Sequence, residues 1–512
     1  MMHRAHFLAG VALLALAGCT SFPPRPTLAP DTAVPVADGT PLDTTIAAAE
    51  ARHPGESGFR LINEGPEAFA IRARTALSAG RSLDVQTYIW SDDGTGAFLA
   101  YRLLQAADRG VKVRLLVDDM DARAKNYGFA ALDAHPNVEV RMFNPFKSRS
   151  GSISFALEAM GSFSRINHRM HNKTWIADNR IAIVGGRNLG DEYFGASEAV
   201  NFSDLDFAMI GPVVRDASAS FDKYWNSPAA YPITVLSPES VTTAALDALR
   251  KEGTPRIETE AQSKFAQELK QNDAVQRLVS GDWPMQWSAR YRFVSDDPAK
   301  AEGKGGGIAG SEVLELLGPV VSQAKEKLTV ISPYFVPGEA GTPAFVKVAK
   351  NGASVRILTN SLAANDVAMV YGGYSKWREP LLDGGVQLWE LKPTRGSTVK
   401  SSMFGSSGAS LHTKALTVDG RLTFVGSYNL DPRSTSLNCE QGVFVDDPVI
   451  ASQLEAIFQT ESSSARAWQV SLQDGKIQWS DGQTTHDSAP DASMGRRFQA
   501  WFARVFPVSS QL

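Results

Sequence analysis

The chain has 512 residues, of which 43% are hydrophobic and 21% are charged, and this composition is typical of a globular protein with large buried cores. Its length predicts roughly two to four domains. Its formal net charge is only −4, so no overall excess of positive charge indicates a polyanionic partner, and a function in DNA or RNA binding is disfavoured.

The first residues have the pattern of a bacterial secretion signal. A basic start leads into an apolar run at 7–16 that is too short to span a bilayer. The sequence L-A-G-C at 16–19 resembles a lipobox, which predicts a signal peptide at 1–18 and a lipid on Cys19. The alternative is an ordinary signal peptide in which the cysteine is incidental. Because Thr20 stands where an Asp would signal retention at the inner membrane, we expect a lipid-anchored envelope protein at the periplasmic face of the outer membrane.

The next part of the chain predicts a stalk followed by a folded domain. Residues 19–57 carry repeated prolines without a sustained apolar period, which favours an extended stalk. Downstream, the apolar periodicity alternates between that of a helix and that of a strand. It predicts a helix at 67–79, a strand at 82–90, a helix at 97–109 and a strand at 111–117, of which the last three form a βαβ unit.

Two pairs of segments indicate an internal duplication. R-S-L-D-V-Q-T-Y-I-W at 81–90 is similar to E-K-L-T-V-I-S-P-Y-F at 326–335. In the same order, A-A-D-R-G-V-K-V-R-L-L at 106–116 is similar to V-A-K-N-G-A-S-V-R-I-L at 348–358. The chain is therefore predicted to contain two α/β halves.

The repeats divide the chain into a first half at 58–236 and a second half at 307–512. The polar segment at 237–306 is rich in Glu, Lys and Gln and ends in a run of glycines. We predict that this segment is a helical connection and linker between the halves.

Each half contains a short motif with the same spacing of His, Lys, Asp and Asn. Lys lies two residues after His, Asp seven and Asn seventeen, in both copies. The members are His171, Lys173, Asp178 and Asn188 in the first half and His412, Lys414, Asp419 and Asn429 in the second. Three coincident spacings in two copies are difficult to obtain by chance.

The spacing has a simple meaning in a β-hairpin. Residues i and i+2 of a strand face the same side, so each His is expected to lie beside its Lys. Asp178 and Asp419 then fall at the hairpin corner, where a carboxylate more plausibly bonds the turn than the substrate. Asn188, Asn429 and Ser427 follow the return strands and are predicted to bind a phosphate together with the lysines.

The paired H-x-K-x-x-x-x-D motifs, followed by G-G-x-N and G-S-x-N, resemble those of the phospholipase D superfamily. The resemblance extends from about residue 59 to the end of the chain. It implies two α/β/α halves related by a pseudo-twofold axis, with one active site between them and no need for a metal or other cofactor. It also implies a covalent phosphohistidine, with His171 as the nucleophile and His412 as the general acid and base.

The same resemblance implies roles for two further carboxylates. Asp204 lies eight residues before a proline, and Glu440 lies eight residues before the equivalent proline. Each would orient the histidine of the opposite half, Glu440 holding His171 and Asp204 holding His412. Asp206 is an alternative to Asp204, because alternation places both on one strand face.

Within the superfamily, the chain is most similar to bacterial cardiolipin synthases of the C type, through L-I-N-E-G-P-E-A-F, N-H-R-M-H-N-K and S-Y-N-L-D-P-R-S-T-S-L-N-C-E. This implies transfer of a phosphatidyl group to phosphatidylglycerol, with phospholipid substrates and a membrane surface as partners. Hydrolysis to phosphatidic acid, a phosphodiesterase acting on nucleic acid and a non-catalytic envelope protein remain alternatives. An acidic balance and a lipid anchor disfavour the nuclease.

Three other segments and one cysteine are of interest. The loops at 146–155 and 394–408 have the composition of mobile rims that touch lipid. The C-terminal segment at 496–506 is amphipathic and basic, and predicts either packing on its own domain or lipid binding. Cys439 is expected to be a small buried residue, and His and Cys residues lack the spacing of metal ligands.

Overall fold

The computed structural model describes residues 24–147, 158, 163–305, 310–393 and 411–505. It contains two mixed β-sheets, one for each predicted half, with helices packed around them. Cys19 and nearly all of the two predicted rim loops lie outside the described residues. Within the described part, no helix has the length and apolarity needed to cross a membrane.

The first sheet has nine strands in the order β8-β4-β3-β2-β5-β6-β7-β1-β9. Strands β2, β3 and β4 are parallel, and the remaining neighbours are antiparallel. The strands are β1 (Ser57–Ile62), β2 (Ser82–Thr87), β3 (Lys112–Asp118), β4 (Val138–Phe143), β5 (Thr174–Ala177), β6 (Ile181–Gly185), β7 (Asp206–Ile210), β8 (Ala230–Pro232) and β9 (Gln286–Ser288).

The second sheet has ten strands in the order β10-β16-β15-β14-β11-β12-β13-β17-β18-β19. The strands are β10 (Tyr291–Ser295), β11 (Lys327–Ile331), β12 (Ser354–Asn360), β13 (Gln387–Leu391), β14 (Ala415–Val418), β15 (Leu422–Gly426), β16 (Gln441–Asp446), β17 (Ala467–Gln473), β18 (Lys476–Ser480) and β19 (Thr485–His486). Strands β11, β12 and β13 are parallel, as their counterparts β2, β3 and β4 are.

The two sheets share one topology over seven strands. In each, three parallel strands are followed by an antiparallel hairpin and two more antiparallel strands, so β2-β5-β6-β7-β1 corresponds to β11-β14-β15-β16-β10. The α/β fold with two similar halves, predicted from the repeats, is confirmed.

Helices surround the first sheet and connect it to the second. They are α1 (Pro41–Glu50), α2 (Gly65–Ser78), α3 (Gly94–Asp108), α4 (Asp119–Ala122), α5 (Asn126–Asp133), α6 (Phe163–Asn167), α7 (Asp191–Phe194), α8 (Pro212–Asn226), α9 (Ile233–Leu236), α10 (Thr243–Glu260), α11 (Lys264–Gln271) and α12 (Asp273–Ser280). Side-chain caps fix several of their first turns: Asp93 accepts from the backbone N–H of Gly96 at α3, for example.

The second half has seven α-helices among the described residues. They are α13 (Glu312–Ser322), α14 (Gly338–Lys350), α15 (Ala368–Ser375), α16 (Arg378–Asp383), α17 (Pro432–Ser436), α18 (Pro448–Glu461) and α19 (Met494–Val505). Short 3₁₀ turns occur at Arg123–Lys125, Pro238–Ser240 and Pro298–Glu302.

The halves are joined by a shared core. One apolar cluster contains Phe207 of β7 and Phe221 of α8 together with Val443 of β16 and Phe458 of α18. Two further clusters lie on the outer faces of the sheets, one in each half. Because burial of apolar surface drives folding, the central cluster fixes the halves against each other and brings their equivalent edges together.

The structure does not show the extended stalk that the sequence predicts. The described part of this segment lies along the first half and contains helix α1, which begins with a capping box formed by Thr40 and Asp43. The Arg25 side chain donates to the carbonyl of Ala230, and Asp31 pairs with Lys112 at 2.5 Å. Proline content suggested an extended spacer, but ion pairs with distant residues hold this segment on the domain.

The predicted boundary of the second half also differs. Residues 237–306 are helical in α10, α11 and α12, as expected for a connection. The end of this segment, however, supplies β9 to the first sheet and β10 to the second. The second sheet therefore begins at Tyr291 and not after 306, and these short edge strands had too little pattern to be recognised alone.

Candidate functional site

The site forms where the two halves exchange short extended segments. Met170 bridges Cys439, and Ser203 bridges Leu411, in two equivalent crossings. The backbone N–H of His171 donates to the carbonyl of Cys439 at 2.9 Å, and that of His412 donates to Ser203 at 2.8 Å. The backbone of each motif histidine is therefore held by a segment of the other half, the one that leads into β16 for His171 and into β7 for His412.

This crossing places His171 on Glu440. Its Nδ1 lies 2.9 Å from a Glu440 carboxylate oxygen and 3.1 Å from the carbonyl oxygen of Ser427. The carboxylate is itself held, because Ser427 donates to it at 2.5 Å and Ser434 at 2.7 Å. The contacts of the His171 Nδ1 atom are thus made by residues of the second half.

The second crossing places His412 on Asp204. Its Nδ1 lies 2.6 Å from the Asp204 carboxylate. Asp206, the alternative considered from the sequence, instead contacts the buried guanidinium groups of Arg72 and Arg187, at 3.0 and 3.4 Å. Of the two carboxylates, Asp204 is therefore the one in contact with the histidine.

The lysines lie beside the histidines, as the alternation of a strand requires. Lys173 Nζ donates to the backbone carbonyl of His171, and Lys414 Nζ to that of His412, both at 2.6 Å. Both ammonium groups are buried, with residue exposures of 3% and 2%. Carboxylates of both halves, Asp204 and Glu440 among them, offset part of this charge. The two lysines lie where they can bind an anion that enters the site.

Burial and these charges shift the pKa values of the site. Burial, opposed by Glu440 and assisted by the neighbouring Lys173, lowers the pKa of His171 to about 4. Burial and the charge of Lys414, opposed by Asp204, lower the pKa of His412 to about 4. Burial lowers the pKa of Lys414 to about 8 and that of Lys173 well below its ordinary value. Groups of both halves therefore act on one another within a single site.

The two carboxylates are held in their charged form. Burial acts to raise the pKa of Glu440, but the contact with His171 outweighs it, and the net shift is downward. The same balance, with His412 as the partner, lowers the pKa of Asp204. A charged carboxylate on Nδ1 favours the tautomer that carries its proton there.

The aspartates of the motifs lie at hairpin corners, away from the histidines. Asp178 accepts from the backbone N–H groups of Gly80, Arg81 and Ser82, at 2.8–3.2 Å. Asp419 accepts from the equivalent backbone of residues 325–327 in the second half. Both aspartates have positive φ, near 53° and 52°, as a tight hairpin turn requires. They brace the hairpin against the neighbouring parallel strand.

Of the two predicted phosphate-binding amides, Asn188 is ordered by contacts within its own half. Asn188 donates from Nδ2 to the Tyr193 hydroxyl at 2.8 Å and accepts from the backbone N–H of Ile89. Asn429 is 4% exposed, and its amide oxygen has no partner among the described residues. Ser427 is turned toward the Glu440 carboxylate, so in this conformation it positions His171 and does not face the pocket.

The glycines of the motifs make room for the carboxylates. A Cβ on Gly186 would lie 2.2 Å from a carboxylate oxygen of Asp204. The equivalent residue in the second half is Ser427, whose hydroxyl bonds Glu440. The difference between G-G-x-N and G-S-x-N therefore follows from how each half packs its orienting carboxylate.

Three aromatic residues complete the walls and were not identified from the sequence. Tyr88 lies edge-on to His171, with ring centroids 5.2 Å apart. Tyr193 and Phe202 pack on His412, at 5.3 and 5.6 Å. Tyr88 falls within the strand predicted at 82–90 and directly follows β2, but the contacts of Tyr193 and Phe202 cross between halves and have no local signal.

Cys439 and possible metal ligands fall outside this chemistry. The thiol is fully buried, and burial raises its pKa far above the ordinary value, so it is not a thiolate at neutral pH. Throughout the part of the chain that the structure describes, no cluster of His, Cys, Asp and Glu has the arrangement of a metal site.

Comparisons with known proteins agree with this arrangement. A family model described as "Cardiolipin synthase, PLD-like domain" matches residues 74–225 and 319–461, one segment in each half. Cardiolipin synthase C of Escherichia coli (strain K12) is 40% identical over 472 residues, which cover 89% of this chain and 96% of that protein. A cardiolipin synthase of Staphylococcus aureus (strain Mu50) is 23% identical over 408 residues, with coverage of 79% and 67%.

The fold has a counterpart among solved structures. The phosphatidylserine synthase of Haemophilus influenzae Rd KW20 superposes with a TM-score of 0.58 and 14% sequence identity, over 92% of this chain and all of that one. At this identity the likeness concerns the fold alone.

Proposed function

Because the chain belongs to the family of cardiolipin synthases with phospholipase D-like domains, we propose that it forms cardiolipin by transferring a phosphatidyl group to phosphatidylglycerol. The superfamily resemblance found in the paired motifs is thereby confirmed. One observation carries the proposal for the site: each of two buried histidines is held at Nδ1 by a carboxylate of the opposite half.

In the proposed first step, His171 is the nucleophile. The hydrogen bond to Glu440 at Nδ1 leaves the Nε2 lone pair to attack the phosphorus of a phosphatidyl donor. The P–N bond forms as the bond to the donor's headgroup alcohol breaks, and His412 as imidazolium gives its Nε2 proton to that alcohol. A phosphatidyl group is then bound to His171, and His412 is neutral.

In the second step, His412 acts as the base. It takes the proton of a phosphatidylglycerol hydroxyl, whose oxygen attacks the phosphorus while the P–N bond to His171 breaks. Cardiolipin leaves, and both histidines return to their starting protonation. Lys173, Lys414 and the two motif asparagines would stabilise the phosphoryl oxygens in both steps, where fixed donors in a dry site are most effective.

The surroundings of the two histidines support this division of roles. His412 has the shorter carboxylate contact, 2.6 Å against 2.9 Å for His171, which suits the imidazole that must carry a proton. Burial, assisted by the charge of Lys414, lowers the pKa of His412. A bound phosphodiester anion would balance the lysine charge and raise that pKa toward neutrality.

Burial favours transfer over hydrolysis. His171 and His412 keep only 8% and 6% of their surface exposed, and aromatic rings cover their sides. Such a site admits little bulk water, so an alcohol already bound on a second phospholipid has the advantage in the second step.

The proposal includes attachment to the membrane through Cys19, after removal of residues 1–18, at the periplasmic face of the outer membrane. The support for it is the L-A-G-C sequence and the Thr that follows it. Two or more acyl chains hold a protein lastingly on a bilayer.

The test is to incubate the detergent-solubilised enzyme with phosphatidylglycerol alone, and then with added phosphatidylethanolamine, and to resolve the lipid products by mass. Cardiolipin that is absent with the His171→Gln variant supports the proposal. Phosphatidic acid alone would replace it with hydrolysis. No lipid turnover, together with cleavage of single-stranded DNA, would replace it with a nuclease.

The Gly186 position offers a sharp prediction about the orienting carboxylate. In Gly186→Ala the new methyl group cannot coexist with Asp204 in its present place, so His412 loses its orientation and phosphatidyl transfer falls about 100-fold. The matched variant Ser427→Ala removes one hydrogen bond from Glu440 and lowers the rate only about fivefold. The measurement is the transfer rate, with thermal unfolding as the control for folding; equal effects of the two variants would contradict the role assigned to Gly186.

The lowered pKa of Lys414 predicts how anion binding depends on pH. Its pKa of about 8 means that the ammonium is present below this pH and is lost as pH rises through it. The Kd of a non-cleavable phosphonate analogue, measured by calorimetry, will therefore increase as pH rises through about 8, in addition to any increase at lower pH that comes from protonation of His412 on binding. Lys414→Arg should abolish the limb near pH 8, because a guanidinium does not deprotonate in that range. An unchanged limb in the variant would assign it to another group.

A further inference from the structure

The C-terminal helix α19 presents its large apolar residues to solvent. Met494, Phe498, Trp501 and Val505 recur at intervals of four, three and four residues and so form one stripe along the helix. Their exposed fractions are 82%, 63%, 54% and 56%. A helix that only packs on its own domain turns such a stripe inward, so this orientation calls for another partner.

The opposite face of α19 is the one that packs. Ala500 and Ala503 are buried against α15, where a Cβ on Gly372 would lie 2.3 Å from the Ala500 carbonyl oxygen. The small residues on both helices allow a close approach that fixes α19 firmly. The domain contact is therefore satisfied without any residue of the apolar stripe.

Helix α19 packs near the end of β12 that lies close to His412. The Arg496 side chain donates to the carbonyl of Leu362, in the loop that follows β12. The same loop contains Asp366, whose charge acts on both Arg496 and Lys414. Asn360, at the end of β12, exchanges hydrogen bonds with the backbone of Leu411, the neighbour of His412. Helix α19 and His412 thus lie at the same end of the parallel strands of the second sheet.

The charges of the helix match an anionic surface. Arg497 and Arg504 fall on one flank of the stripe, and α19 contains no Asp or Glu. Aromatic residues in an apolar stripe with arginines at its border are typical of helices that lie in the headgroup region of a bilayer.

We propose that α19 is an interfacial helix that inserts its stripe of Met494, Phe498, Trp501 and Val505 into an anionic phospholipid surface and holds the neighbouring end of the second sheet against it. The inference deepens the proposed function, on which it rests for the nature of the substrate. It assigns a surface contact that is separate from acylation of Cys19.

A fluorescent label on the stripe tests the proposal directly. The chain has only two cysteines, and Cys439 is buried, so Cys19→Ala with Met494→Cys leaves one exposed thiol for a polarity-sensitive dye. On vesicles of phosphatidylethanolamine and phosphatidylglycerol, the dye should shift to the blue and be quenched by acyl-chain spin labels. The matched label at Leu77→Cys, on an exposed apolar site of α2, should do neither.

Variants of the labelled protein then measure how much individual side chains of α19 contribute to vesicle binding. Phe498→Ser with Trp501→Ser should weaken vesicle binding about 30-fold, whereas Leu77→Ser with Val279→Ser should leave it unchanged. Arg504→Glu should weaken binding about tenfold on anionic vesicles and little on phosphatidylcholine. Turnover of a short-chain, water-soluble phosphodiester should remain within about twofold in all of them, because none contacts the histidines.

The outcomes separate this inference from the proposed function. A label at 494 that stays in water while the detergent-solubilised enzyme makes cardiolipin would overturn the inference alone. Insertion of the label in a protein that turns over no lipid would overturn the proposed function and leave the helix assignment standing. A serine pair that converts a dimer to a monomer, with no change on vesicles, would assign the stripe to a second copy of the chain instead.

Discussion

Replacing His171 with glutamine will lower the rate of phosphatidyl transfer by about 10⁴-fold or more, because the residue proposed to form the covalent bond to phosphorus is lost. The amide cannot act as a nucleophile at this position, and Glu440 would be left without its imidazole partner. The rate is measured as cardiolipin formed from phosphatidylglycerol in detergent micelles. A residual rate near that of the unchanged enzyme would remove His171 from the mechanism.

The matched control is His486→Gln. His486 is exposed on the outermost strand of the second sheet and contacts only Trp468 among the aromatic residues described. Its replacement should leave transfer within about twofold, as is usual for a surface position. Thermal unfolding of both variants would show whether any loss in His171→Gln arises from misfolding.

Replacing His412 with asparagine should separate the two chemical steps. With natural phospholipid the rate should fall about 10³-fold, because neither the leaving alcohol receives a proton nor the incoming alcohol loses one. With a phosphatidyl ester of nitrophenol, whose leaving group needs no proton, the first step should survive and the second should not. The expected result is one equivalent of nitrophenol per enzyme, without further turnover.

The trapped species identifies the nucleophile. Digestion of the His412→Asn enzyme under alkaline conditions, followed by mass spectrometry, should locate the phosphatidyl group on the peptide that contains His171. The double variant with His171→Gln should release no stoichiometric nitrophenol. If the single His171→Gln variant gives the burst and carries the label at 412, the roles of the two histidines are reversed.

Several features were predicted correctly because they repeat within the chain. The similarity of 81–90 to 326–335 established two halves, and the structure gives β2 and β11 equivalent positions in their sheets. The hairpins around Asp178 and Asp419 followed from local turn chemistry, which needs no knowledge of distant contacts. The prediction of an extended stalk was wrong because the packing of this segment depends on partners far away in the chain, such as Lys112.

The resemblance to the superfamily added the carboxylates that precede β7 and β16. The sequence by itself determined the other candidate residues of the site: two histidines with lysines at strand spacing and two hairpin aspartates. Local periodicity carries that information, because side-chain direction along a strand repeats every second residue. The resemblance already implied that Glu440 holds His171. Only the tertiary structure decided that Asp204 and not Asp206 reaches His412, and that Tyr193 and Phe202 wall the site.

The outward direction of the α19 stripe was also left open by the sequence. Amphipathic spacing is the same whether a helix turns its apolar face to a core or to a membrane. Gly372 determines the direction of the stripe, because it lets Ala500 and Ala503 pack closely and so leaves Phe498 and Trp501 exposed. These decisions depend on contacts between residues distant in sequence, and such contacts exist only after the chain has folded.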